Sequence, residues 1–134
     1  MTDAVVAFLQ ARLDDDERVA RQAASRERGG ASWRLEGASV RAGDGAPVAR
    51  HTWADEGIHI AHQDPARTLR EVEAKRHLLQ LYETAAGRMD QAMLDADTAA
   101  YQEARTERQA LRRALLANAT VYADHPDYLP EWRP

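Results

Sequence analysis

The chain has 134 residues, a length that predicts a single domain over residues 1–134. It contains no cysteine, which excludes disulfides, thiolate metal sites and a cysteine nucleophile, and its net charge of −4 argues against general affinity for nucleic acid. Apolar residues make up 44% of the chain, but 27 residues are alanine, so we expect a thin core that gains stability by self-association as a homodimer.

The sequence also carries no signal for export or for membrane insertion. Its start, Met1 to Val6, lacks the basic and apolar regions of a signal peptide. No run of about 18 apolar residues occurs, so neither a transmembrane helix nor a membrane partner is expected. The expected location is the cytoplasm.

A long N-terminal helix is predicted over about residues 3–27. Thr2 or Asp3 can cap it, and Gly29 with Gly30 suits the left-handed turn that ends a helix. Its apolar residues recur at helical spacing: Val6, Leu9, Leu13, Ala20 and Ala24.

The next segment, about residues 31–53, changes from helical to alternating character. Short extended runs separated by turn glycines, such as Gly43 and Gly45, predict a small β-meander or hairpin. So few strands are marginally stable alone, so they should lie on a helix. We expect Trp33 and Trp53 to hold them there.

A second helix is predicted over about residues 64–86, after a short helical turn or approach segment at 54–63. Asp64 is a good N-cap, Pro65 suits the first helical position, and Gly87 is a plausible break. Its candidate core positions are Leu69, Val72, Leu78, Leu79 and Tyr82.

A third helix is predicted over about residues 90–118. Its apolar side comprises Met93, Ala100, Tyr101, Ala104, Leu111 and Leu115. Because the connection at 86–90 is short, the second and third helices should form an antiparallel hairpin. The predicted fold class is therefore α+β, mainly helical.

The last segment, residues 119–134, holds more large apolar groups than a frayed tail would. Prolines at 126, 130 and 134 oppose a regular helix, so we expect an extended C-terminal strap. Four side chains are the predicted anchors of this strap, on the chain's own helices or on a partner: Tyr122, His125, Tyr128 and Trp132.

Several pieces of the chain form a recognisable order. They are Trp33-Arg34, Val48-Ala49, His59-Ile60-Ala61, the runs from Asp64 to Arg67 and from Leu69 to Arg76, and the tail strings Tyr122-Ala123-Asp124-His125-Pro126-Asp127-Tyr128 and Glu131-Trp132-Arg133-Pro134. In these pieces the chain resembles an uncharacterised family of short actinobacterial proteins, a domain of unknown function. The resemblance implies an actinobacterial or actinophage-related setting, and it implies no activity, cofactor or catalytic residue.

Three histidines are candidate metal ligands. His59 and His62 are three residues apart and would share a helix face, and His125 could join them from the tail. Three nitrogen or oxygen ligands plus water would suit zinc or another divalent ion. The alternative is that His59 hydrogen-bonds within the junction before the second helix while His62 faces solvent.

The tail string Asp124-His125-Pro126-Asp127 allows two interpretations. Its carboxylates could orient His125 for general-base chemistry, or the string only forms a turn. We favour the turn, because no nucleophile or oxyanion site is recognisable nearby.

A basic edge on the third predicted helix comprises Arg105, Arg108 and Arg112, at i, i+3 and i+7. These side chains could contact phosphates, or else face solvent beside Glu103 and Glu107.

No enzyme motif is recognisable. We therefore favour a non-enzymatic adaptor or regulator that binds another protein, or itself, through a helical face or the aromatic tail. A small metal-binding protein or metal-dependent enzyme and a nucleic-acid-associated regulator are the alternatives.

Overall fold

The computed structural model describes residues 3–25 and 30–134, which divide into two compact units. The described part of unit one is residues 3–12 and 74–134, and that of unit two is residues 13–25 and 30–73. These residues form four α-helices and a three-stranded antiparallel sheet, which confirms the α+β, mainly helical class. The single domain stays a prediction.

Helix α1 spans Ala4–Ala24 and begins at an aspartate cap. The Asp3 Oδ1 atom accepts a hydrogen bond from the Val5 backbone N–H at 3.3 Å, which satisfies one of the unpaired donors at the helix start. The predicted continuation to residue 27 lies partly outside the described residues. Four predicted core positions are buried as expected: Val6, Leu9, Leu13 and Ala20.

The sheet of unit two is a meander, as the sequence predicts. Strands β1 (Trp33–Glu36), β2 (Ser39–Ala42) and β3 (Pro47–Ala49) pair in that order. A two-residue turn joins β1 to β2, and its first residue, Gly37, has a φ of 60°. A side chain would be strained there, so glycine fits the tight turn.

Helix α2 spans Ala54–His62, as predicted, and contacts β1 and β2. The approach to the helix is fixed by Thr52, whose backbone N–H and Oγ1 both donate to the Ala38 carbonyl at 2.8 and 3.1 Å. Gly57 is buried on the side of α2 that faces this segment. A Cβ atom built there would lie 2.6 Å from Leu35 Cδ1 and 2.7 Å from Thr52 Oγ1.

Helix α3 spans Pro65–Leu94 and begins where the sequence predicts. The Asp64 carboxylate accepts from the Arg67 backbone N–H at 2.9 Å and from the Trp33 backbone N–H at 3.1 Å. One side chain therefore caps the helix and ties its start to β1 within unit two.

The predicted break at Gly87 is wrong, and so are the boundaries 64–86 and 90–118. A lone glycine costs a helix only about 1 kcal/mol, and the residues around it are good helix formers, so α3 continues through it. The turn lies at residues 95–97. Ala96 adopts a left-handed φ of 52°, and Asp97 caps α4 by accepting from the Ala100 backbone N–H at 3.0 Å.

Helix α4 spans Thr98–Ala119. In unit one its contacts with α3 run in antiparallel order: Arg88 is hydrogen-bonded to Glu107, and Arg108 lies over the Tyr82 ring. The contacts thus follow the order of the antiparallel helix hairpin that the sequence predicts.

The tail is more coiled than the predicted extended strap. It forms two short 3₁₀ helices, Thr120–Tyr122 and Pro130–Trp132, with successive turns between them. Proline fixes φ near −65°, which suits the start of a 3₁₀ turn as well as an extended chain. Among the described residues, no helix combines the length and the apolar character needed to cross a bilayer.

The two helical glycines make a matched pair for testing the packing of α2. We expect Gly57→Ala to lower the free energy of unfolding by about 1–3 kcal/mol, because the added methyl group overlaps Leu35 and Thr52. Gly87→Ala has no atom within 4 Å of the new methyl group and should raise it by about 0.5–1 kcal/mol. Urea denaturation measures both, and equal stability of the two variants would contradict the close approach at Gly57.

Candidate functional site

An aromatic cluster joins the tail to the start of α1 in unit one. Its centre is Phe8, the only phenylalanine in the chain. The Phe8 ring centroid lies 6.2 Å from that of Tyr122, 5.7 Å from His125, 6.0 Å from Tyr128 and 5.1 Å from Trp132. All four predicted anchors therefore meet at one α1 side chain. Tyr128 is 7% exposed and Trp132 is 6% exposed, so these two anchors are buried within the unit.

Sequence reasoning missed Phe8 because it followed a single apolar stripe along α1. Val5 and Phe8 form a second apolar line three residues apart, and Arg12 continues it at i+7 with its guanidinium 5.3 Å from the Phe8 ring centroid. Val5 and Phe8 are both buried. A wider apolar face, read from both stripes, could have identified the surface on which the tail docks.

His125 lies at the polar edge of the aromatic cluster. Its Nδ1 atom is 3.1 Å from Arg12 Nη1 and 3.1 Å from the Asp127 backbone nitrogen. Both neighbours can only donate, so Nδ1 acts as an acceptor. Asp127 also lies 4.0 Å from Arg12. The Asp-His-Pro-Asp string thus forms a turn that is hydrogen-bonded to itself and to α1, which favours the structural interpretation of this motif.

A second contact set in unit one is polar and centres on Asp3. Its carboxylate accepts from Arg112 Nε at 2.7 Å and from the Tyr82 hydroxyl at 3.0 Å. The hydrogen bond from Arg112 is the main reason that the pKa of Asp3 lies below its ordinary value, although burial opposes this shift. Burial, followed by the bond to Asp3, raises the pKa of Tyr82. One carboxylate therefore links α1, α3 and α4.

The predicted arginine stripe is divided between internal contacts and solvent. Arg112 binds Asp3, and the Arg108 guanidinium lies 5.1 Å from the Tyr82 ring centroid. Arg105 is exposed. Two of the three guanidinium groups that could have contacted phosphates are thus in contact with the protein itself.

The predicted metal ligands lie in different units. His59 and His62 are exposed on α2 in unit two, and His125 belongs to the tail in unit one. Within residues 3–25 and 30–134, no group of three or more histidine, aspartate or glutamate side chains is arranged to hold a metal ion.

Trp53 does not hold the sheet against a helix, contrary to expectation. It precedes α2 and is 82% exposed. Trp33 is half-buried and lines an open groove of about 310 Å³ with Val19 and Gln63. The Thr52 and Gly57 contacts fasten α2 to the sheet without help from Trp53, which leaves the indole on the surface of unit two.

A second exposed apolar surface lies where α3 ends, in unit one. We call residues 90–97 the hairpin tip. Leu94 is 82% exposed and Met93 is 64% exposed. Asp90, Asp95 and Asp97 lie in the same eight residues, and no lysine or arginine does. Sequence reasoning placed Met93 on the buried side of a third helix; this was wrong because that helix starts only at residue 98.

The arrangement defines a small α+β protein whose described surface offers apolar side chains framed by charge. The chain belongs to the family of unknown function DUF6221, which matches residues 2–134. Comparison with curated proteins and with solved structures gives no match. This match agrees with the domain of unknown function that the sequence resembles.

The Asp3 contacts predict how stability depends on pH. A carboxyl group whose pKa is lower in the folded than in the unfolded state stabilises the fold above its unfolded value, and this contribution is lost as the pH falls through the folded value. We expect the free energy of unfolding to drop on acidification below about pH 4. Asp3→Asn should be less stable by about 1–3 kcal/mol at pH 7 and should show a smaller drop.

Urea denaturation at pH 7 and at stepwise lower pH measures this dependence. Asp90→Asn is the control, because Asp90 is exposed at the hairpin tip. An acid dependence in Asp3→Asn as steep as in the unchanged protein would contradict the assignment.

We expect opposite effects on stability when the hydroxyl group is removed from each of two buried tyrosines. Within the described residues the Tyr128 hydroxyl is buried without a hydrogen-bond partner, whereas the Tyr82 hydroxyl donates to Asp3. Removing an unpaired buried hydroxyl removes a desolvation penalty, so Tyr128→Phe should leave stability unchanged or raise it by up to about 1 kcal/mol. Tyr82→Phe should lower it by about 1–3 kcal/mol. Thermal and urea unfolding test this, and a large loss in Tyr128→Phe would show that its hydroxyl is paired.

Proposed function

We propose that this protein is a non-enzymatic adaptor or regulator that binds another protein through the hairpin tip. The observation that carries the proposal is the exposure of two adjacent large apolar side chains, Leu94 and Met93, at the end of α3. Neighbouring residues on a helix point about 100° apart, so the pair presents apolar surface over a wide angle. Methionine beside leucine also adapts readily to a partner's surface.

The charges around the tip indicate the chemistry of the partner. Asp90, Asp95 and Asp97 lie within four residues of the apolar pair in the sequence, and the Asp97 carboxylate caps α4. A complementary surface would be an apolar pocket with lysine or arginine at its rim. Such charge pairs at the rim speed association and select the partner, while burial of the apolar pair supplies most of the affinity.

The tail is a less direct candidate for the contact. Tyr128 and Trp132 are buried against Phe8, so a partner would have to displace them before it could bind them. We assign the tail anchors a supporting role: they hold α1 in unit one.

The other predicted functions receive less support. Phosphate binding by the arginine stripe would compete with Asp3 for Arg112. A site formed by all three histidines lacks support, because the described residues contain no such group of ligands. Cytoplasmic location, an actinobacterial or actinophage-related setting and homodimer formation remain parts of this proposal.

Variants of the tip test the adaptor function. We expect the double variant Met93→Ser, Leu94→Ser to lose a stoichiometric partner that the unchanged protein retains in an affinity pull-down from the native host. Val121→Ser is the matched control, since it removes an apolar side chain of similar exposure elsewhere in unit one. Mass spectrometry identifies the partner.

A measurement with the purified partner then decides between specific and adventitious capture. The affinity should fall at least about tenfold in the double variant, because truncated interface anchors cost more than 1 kcal/mol. The association rate should also fall as salt is added. Equal affinity of the double variant and the unchanged protein would overturn the proposal.

A further inference from the structure

The exposed face of α2 in unit two carries an arrangement that the adaptor function does not use. Asp55, His59 and His62 recur at i, i+4 and i+7, which places them on one side of the helix. Gly57 faces the opposite way, toward Leu35 of the sheet. The histidines are therefore directed away from the unit.

Both imidazoles are available for coordination. His59 and His62 are exposed, and neither imidazole ring makes a hydrogen bond or an ion pair with any residue in the described ranges. Their spacing of three residues makes them neighbours on the helix surface, with Cβ atoms about 5–6 Å apart. Two imidazole nitrogens so placed can converge on one ion, since zinc binds each at about 2.0–2.1 Å.

The helix that carries them is held firmly. The close approach of Gly57 to Thr52, and the two hydrogen bonds from Thr52 to Ala38, fix α2 on the sheet. A site on a rigid helix loses less conformational entropy on binding than one on a loop.

A single chain supplies only half of a tetrahedral site. We propose that His59 and His62 form a zinc half-site that is completed by the same two histidines of a second copy of this chain. A two-fold axis beside α2 would bring four imidazoles to one ion, a closed arrangement with the coordination number of structural zinc.

Exposed apolar surface favours a second copy over a free ligand, and charge makes the pairing depend on a cation. Each chain carries a net charge of −4, so two copies repel one another unless a cation lies between them. Asp55 and Glu56 in the first turn of α2 offset part of the zinc charge. Trp53 and Ile58 are exposed on the same segment, and a second copy would cover them.

The test measures mass and zinc together on the full chain after chelator treatment. Sedimentation equilibrium should show that half an equivalent of zinc chloride strengthens the dimer at least about tenfold, with one zinc bound per two chains. EDTA should reverse the effect. The double variant His59→Ala, His62→Ala should lose it, while His77→Ala, which removes an exposed histidine from α3, should keep it.

A further variant tests the apolar part of the contact. Trp53→Ser should still bind zinc but should weaken the zinc-bound dimer about tenfold. Circular dichroism confirms that each variant is folded, which is expected because all the altered side chains are exposed. Zinc binding without an increase in mass, or a zinc-dependent dimer in the double histidine variant, would overturn the proposal. The hairpin-tip variants leave this site intact, so the two proposals fail independently.

Discussion

The packing of one side chain, Phe8, holds the C-terminal tail to unit one. It is the only phenylalanine in an alanine-rich chain, and rings from both tail turns surround it. A tail of sixteen residues loses much conformational entropy when it docks, and apolar contact with one ring must offset that loss. Prolines at 126, 130 and 134 reduce the loss, because they restrict the tail before it folds. The aromatic residues and prolines of the tail are thus explained by its docking on Phe8.

The polar contacts of Asp3 complement this packing within the same short segment. Asp3 caps α1 and accepts hydrogen bonds from Tyr82 and Arg112, while Phe8 lies little more than one turn further along α1. A charged, partly buried carboxylate is stable only if its oxygens are paired, and these donors meet that need. Residues 3–12 therefore position α3, α4 and the tail of unit one with one polar and one apolar group. The start of α1 therefore contributes to the packing of unit one, although many residues of this helix are charged.

Short sequence signals predicted an element correctly where one or two residues determine the local backbone conformation. Asp64 followed by Pro65 starts a helix for reasons contained in those two residues, and the meander follows from its turn glycines. The turn between α3 and α4 could not be found in this way, because Gly87 resembles a break and Ala96 does not. Ala96 adopts the left-handed conformation of a turn that ends α3, in which the Asp97 backbone N–H donates to the Ala92 carbonyl at 2.9 Å. The candidate site was still harder to predict: the four anchors were recognised, but Phe8 was not, since its partners lie more than a hundred residues away.

Several large apolar side chains lie on the surface of this chain, while small side chains occupy much of its interior. Alanine occupies many buried positions, including residues 20, 42, 85, 92, 104 and 119. Trp53, Met93 and Leu94 remain exposed, although a thin core would gain from burying them. Each has a local reason: the Thr52 contacts fix α2 without the indole, and α3 ends at Leu94, just before Asp97 caps the start of α4. Single exposed apolar residues are common on proteins, but Met93 and Leu94 are adjacent and have aspartates close by in the sequence. Trp53 precedes the helix that carries His59 and His62. A partner that bound at these surfaces would bury the large apolar side chains that do not pack in the alanine-rich interior.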